Sequence, residues 1–122
     1  MKIAIWLDDL RDPTEWRFKD LLESYAPEAK VRWAKGYDEF VGMVSFTLLD
    51  PDSELVALFF DNDLGAEKQG KDAFNWFESV VHNHPLLVPK PIALYAQTAN
   101  PSARKTLHQG FRALHRYWEE NP

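Results

Sequence analysis

With 122 residues and no cysteine, the chain excludes a disulfide scaffold and a thiolate metal centre; its formal net charge of −5 argues against non-specific grip on nucleic acid, which depends on neutralising phosphates, and leaves room for a local basic site. Its 45% apolar content, with five Trp and eight Phe, supplies a proper core and excludes a disordered chain. No run approaches the roughly 20 apolar residues that cross a bilayer, and the first apolar run stops at Asp8, so no membrane span or leader is expected. The expectation is one cytoplasmic domain over residues 1–122.

Taken in order, strand and helix patterns alternate. Residues 2–7 read as a short strand buried on both faces, ended by Asp8-Asp9-Leu10-Arg11. Asp12-Pro13-Thr14-Glu15 reads as a helix start, with Asp12 as N-cap, Pro13 first in the helix and Glu15 in a capping box. That helix places Trp16, Leu21, Leu22 and Tyr25 inward and ends at Ala26-Pro27. Lys30–Ala34 is a second strand. Residues 36–46 form a second helix with Phe40, Val41, Val44 and Leu48 inward. Asp50-Pro51-Asp52-Ser53 is turn material.

Residues 55–60 are apolar on both faces and form a central strand. Asp61-Asn62-Asp63 ends it, and residues 65–70 make a loop. Residues 71–82 form a helix burying Phe74, Phe77, Val80 and Val81. Residues 85–91 are an extended linker, and Ile92–Ala96 is the fourth strand. Asn100 caps and Pro101 opens a last helix that buries Leu107, Phe111, Leu114 and Trp118. The pattern predicts an α/β, flavodoxin-like three-layer sandwich with a parallel sheet of about four strands, right-handed crossovers and order 2-1-3-4. Its topological switch lies between the first and third strands, where ligands bind in open α/β sheets.

That topology brings Asp8-Asp9 and Asp61-Asn62-Asp63 to one rim. Two carboxylates ~4 Å apart at an effective dielectric of ~20 repel by about 4 kcal/mol. A bound cation, an arginine or a raised pKa relieves such a cluster, and Arg11 lies two residues beyond the first pair. A hard ion such as Mg²⁺ takes carboxylate, water and phosphate oxygens. The alternative is that these aspartates only cap loops and helices. The fourth corner offers Thr98, Asn100, a helix N-terminus, and Arg104 and Lys105 one turn in, a set suited to a phosphate. Plain capping by Asn100 is the competing role. His82 and His84 read as solvated helix-end residues. His108 and His115 stand about 10 Å apart along one helix, too far to share a metal. Trp6, Trp16, Trp33, Trp76 and Trp118 read as core.

Three stretches, Ile5-Trp6-Leu7-Asp8-Asp9-Leu10-Arg11, Phe60-Asp61-Asn62-Asp63-Leu64-Gly65 and Gln97-Thr98-Ala99-Asn100-Pro101, resemble the motifs of the cyclic-phosphate-processing receiver-like family (cREC), itself distantly similar to response-regulator receivers. The resemblance implies a site for a cyclic phosphate on a nucleotide or RNA end. By matching position it implies catalytic roles for Asp8, Asp9, Asp61 and Asp63 and phosphate binding by Arg11, Thr98 and Asn100. The clustered charge makes Asp8, Asp9 and Asp61 the expected metal ligands, and the fourth corner adds Arg104 to the phosphate-binding set. Two family histidines are replaced here, by Asn62 and Gln97, which keep hydrogen bonding but exchange no proton near neutral pH. The expected function is therefore binding of a phosphorylated ligand with hydrolysis by carboxylates and Mg²⁺. The alternative is a catalytically silent protein-binding module or small inhibitor. Phosphoacceptor chemistry at Asp61 ranks third, because no fifth strand carrying a lysine follows Thr98. No membrane partner is expected.

Overall fold

The first strand is apolar at every position after Lys2, and such a strand belongs in the middle of a parallel sheet. The computed structural model, which describes residues 1–122, places it there. Strands β1 (Lys2–Leu7), β2 (Lys30–Ala34), β3 (Glu54–Phe60) and β4 (Ala93–Ala96) are all parallel, in the order β2-β1-β3-β4. Helices α1 (Lys19–Tyr25), α2 (Tyr37–Leu49), α3 (Gly70–Asn83) and α4 (Pro101–Glu120) make the crossovers and close the chain. This is the receiver or flavodoxin-like α/β architecture that the alternating pattern predicts. No helix is long and apolar enough to cross a membrane.

Register decides what the rim displays. Ala34, Leu7, Phe60 and Ala96 are paired across the sheet in one row, the last of each strand. The ladder runs one step further, through Asp8 N–H to the Ala34 carbonyl, Asp61 N–H to the Leu7 carbonyl and Gln97 N–H to the Phe60 carbonyl. Asp8, Asp61 and Gln97 therefore emerge side by side from three neighbouring strands.

The two faces are covered unequally. Ile3, Ile5, Leu7, Leu58 and Phe60 pack under α2, α3 and α4 in a core of 22 buried residues. The opposite face, with Ala4, Trp6, Ala57 and Phe59, lies under α1 and the short segments flanking it, from Phe18 to Ala29. Trp6 is fully buried there, with its ring 4.8 Å from that of Phe18 and 5.3 Å from that of Phe59.

Several local expectations are corrected. Asp12 does not cap a helix. Its Oδ1 accepts the Thr14 N–H at 2.8 Å and the Thr14 hydroxyl at 2.7 Å, closing a tight turn. A single 3₁₀ turn, Trp16–Phe18, follows, and α1 begins only at Lys19 without a capping box. The delayed start turns Trp16 outward to 87% exposure, whereas the helical pattern placed it in the core. Helix α2 runs on to Leu49 and buries Thr47, whose hydroxyl returns to the Met43 carbonyl at 2.7 Å, while Val41 and Leu48 are only half-buried. Helix α3 starts at Gly70 through a capping box of Gln69 and Asp72, and Val80 is half-buried. Ile92 precedes β4 rather than joining it. The last helix is as expected: Asn100 Oδ1 accepts the Ala103 N–H at 3.1 Å, and Leu107, Phe111, Leu114 and Trp118 are buried.

Candidate functional site

The rim is built outward from β1. Asp8 is fully buried. Its Oδ1 accepts the N–H groups of Leu10 at 3.0 Å and Arg11 at 2.9 Å, which folds the chain back over the strand end. Two tryptophans fix that turn from below. The Trp6 indole donates to the Arg11 carbonyl at 2.9 Å, and the Trp33 indole donates to the Asp8 carbonyl at 2.7 Å. Neither bond was foreseeable from periodicity, which marks both residues only as apolar.

The fold returns Arg11 to the carboxylates. Its Nη1 lies 3.3 Å from Asp8 Oδ2, 3.7 Å from Asp61 Oδ1 and 3.3 Å from the Gln97 carbonyl, to which it donates. One guanidinium thus ties together the ends of β1, β3 and β4. Carboxylate oxygens of Asp8, Asp9 and Asp61 lie within 4.8 Å of one another. Three ionised carboxylates against one guanidinium leave two negative charges unbalanced, and the relief is incomplete. Accordingly the Asp61 carboxyl is pushed up from 3.8 to about 6, by burial first and then by repulsion from Asp8 and Asp9, against the pull of Arg11. The oxygen-only donor set, at this separation and charge, suits a hard divalent cation.

Glycines admit this packing. Gly70 presses on the Asp61 backbone so closely that a Cβ there would overlap the Asp61 carbonyl. Gly65, at φ +66°, turns the β3–α3 loop beside Asp9, where a Cβ would stand 3.5 Å from Asp9 Oδ2. A glycine after Asp63-Leu64 is the visible signal for the second; nothing local marks the first.

The remaining expected site residues are distributed as follows. Asp63 is exposed and stands outside the three-carboxylate cluster. Asn62 is buried, its Oδ1 accepting the Lys71 N–H in the first turn of α3 at 3.1 Å. Gln97 Nε2 donates to the Leu7 carbonyl at 3.0 Å, and its Oε1 is buried without a hydrogen-bond partner. Thr98 is 2% exposed, and its hydroxyl accepts the Asn100 N–H at 3.2 Å. Arg104 reaches back to that corner, donating Nε and Nη2 to the Thr98 carbonyl at 3.3 and 3.0 Å. Exposed His82 packs edge-on against Tyr117.

Four parallel strands ending level, with buried aspartates on the two central ones, define a receiver-type α/β domain. The family model described as cyclic-phosphate processing receiver domain matches residues 3–113, and the chain belongs to that family. Searches of curated proteins and of solved structures return no match.

Proposed function

We propose that the notch of Asp8, Asp9 and Asp61 binds a divalent cation, and through it and Arg11 a cyclic phosphate that the protein hydrolyses. The observation that carries this is the convergence of three carboxylates within 4.8 Å with only one guanidinium between them. Burial of charge at that density is costly unless something neutralises it. Mg²⁺, held by these three residues, would supply the missing positive charge and polarise phosphate oxygens.

The protein's own residues divide the remaining work. Arg11, held by Asp8 and the Gln97 carbonyl, presents a planar donor to phosphate oxygens. Asn100 and Arg104 place the N-terminus of α4 beside the same corner, where backbone N–H groups favour an anion. Gln97 Oε1 offers a buried acceptor for a ligand hydroxyl. The reaction is addition of water to phosphorus: one new P–O bond forms, one ring P–O bond breaks, and the water proton passes to the leaving alkoxide. The product is a phosphomonoester. In this reading Asp61 serves as a ligand of the ion, whose charge would keep its carboxylate ionised.

Turnover of a panel of 2′,3′- and 3′,5′-cyclic nucleotides and RNA ends, with and without Mg²⁺, tests the proposal. Mg²⁺-dependent opening that Asp61→Ala abolishes is expected. Turnover no greater than that of Asp61→Ala removes the enzymatic reading.

A specific observation favours a second reading. Asn62 Oδ1 and Gln97 Nε2 are both spent on backbone atoms, and neither amide can exchange a proton near neutral pH. A silent member of the family that binds a protein partner would look the same at those positions. Stoichiometric capture of a partner that is indifferent to Asp8→Ala would favour it.

A further inference from the structure

Helix α4 carries its charges where they do not help a helix. Arg104 lies in the first turn and Lys105 just after it, at the positive end of the dipole; Glu119 and Glu120 lie in the last turn, at the negative end. Each placement opposes the dipole, by roughly 0.3–1 kcal/mol. Arg104, His108, Arg112 and Arg116 recur every fourth residue and are all exposed. At 100° per residue these four and Lys105 fall within about 120° of the helix surface, in a row about 18 Å long. None of the five has a carboxylate within 4 Å; the ion pairs of this protein involve Arg11 and Arg17 only. An unpaired basic ridge on a chain of net charge −5 is not explained by helix stability or by internal pairing.

We propose that the α4 ridge binds the sugar-phosphate backbone of a single RNA strand whose terminal phosphate enters the notch. The inference rests on the proposed function for its terminus, and on the ridge alone for the strand. Steps of four residues advance about 6 Å along a helix, the scale on which successive phosphates follow one another in a strand. Continuity favours RNA over an acidic protein. Arg104 belongs both to the ridge and to the Thr98 corner, and the Gln97 carbonyl next to that corner accepts Arg11. A strand following the ridge therefore arrives at the carboxylates. The acidic remainder of the surface repels phosphates and confines the strand to this face.

The probes are fluorescein-labelled oligouridylates of two, four and eight nucleotides ending in a 2′,3′-cyclic phosphate, measured by anisotropy in Mg²⁺. Affinity is expected to rise to about four nucleotides, the number the row spans, and then level off. Arg112→Glu/Arg116→Glu weakens the eight-mer at least tenfold and leaves the dinucleotide unchanged. The same variant lowers the slope of log affinity against log salt by about 1.4, two single-strand phosphates' worth. Arg112→Gln/Arg116→Gln moves both readouts in the same direction by less, with an unchanged melting point as the control for folding. Equal affinity for dinucleotide and eight-mer, or an eight-mer indifferent to charge reversal, overturns the ridge. Competition by polyglutamate as effective as by unlabelled eight-mer also overturns it, in favour of an acidic protein partner. Length-dependent binding with no turnover of any cyclic phosphate upholds the ridge and overturns the hydrolytic notch.

Discussion

Asp61→Asn makes the protein more stable when no cation is present. The Asp61 carboxyl ionises near 6 in the fold against 3.8 for the free side chain, so its charged form is disfavoured. At about 1.4 kcal/mol per pKa unit that difference sets a ceiling of about 3 kcal/mol near neutral pH. Solvent entering at half-buried Asp9 lowers it, and we take about 1–2 kcal/mol as the working figure. For a chain of this size that is a rise of about 3–8 °C in melting temperature. The sign with pH follows. Between pH 3.8 and about 6 the folded protein holds a proton that the unfolded chain has released, so native stability falls as pH rises through that window. Asp61→Asn removes that fall. The assay is thermal unfolding from pH 4 to 8 in EDTA, comparing the two proteins. Saturating Mg²⁺ reverses their order, because an ion bound only by the native state adds about 2.7 kcal/mol at a hundredfold excess over its Kd and the variant lacks a ligand. An Asp61→Asn protein less stable than wild type in EDTA at pH 7.5 would refute the electrostatic reasoning.

Three further outcomes are expected. Gly70→Ala forces a methyl onto the Asp61 carbonyl and should cost at least ~1–3 kcal/mol in urea unfolding, with loss of the Mg²⁺ response; a change under 0.5 kcal/mol would contradict the close approach. Trp33→Phe deletes the donor to the Asp8 carbonyl and should cost about 1–3 kcal/mol while weakening Mg²⁺ binding in calorimetry, since the β1 turn loses a tether. Arg11→Gln leaves three carboxylates without their internal counterion. It should lower the melting point in EDTA and steepen the gain on adding Mg²⁺; an unchanged gain would mean that Arg11 does not share the notch with the ion.

The frame of the fold could be read from residue patterns because its causes are local. The apolar run at 2–7 and its stop at Asp8, the strand at 30–34 and the Asn100-Pro101 helix start all depend on neighbours within a few residues, and the structure places them as read. The order 2-1-3-4 followed from right-handed crossovers and from the two runs buried on both faces. What escaped depends on contacts between distant segments. Trp16 fits the helical spacing of its neighbours, but the Asp12–Thr14 turn and the 3₁₀ turn delay the helix and rotate the ring outward. Trp33 and Gly70 act on Asp8 and Asp61 through space, with no trace in periodicity. Asp63 looks equivalent to Asp61 in sequence, yet only Asp61 continues the sheet ladder, and Asp63 falls in the loop beyond it.

A Mn²⁺-soaked crystal, with anomalous scattering recorded at the manganese edge, addresses the notch itself. One strong peak within coordination distance of Asp8, Asp9 and Asp61, lost in Asp61→Ala, is expected. A fully ordered notch with no peak at millimolar Mn²⁺, or a peak elsewhere on the surface alone, would mean that these carboxylates gather for a reason other than holding a cation.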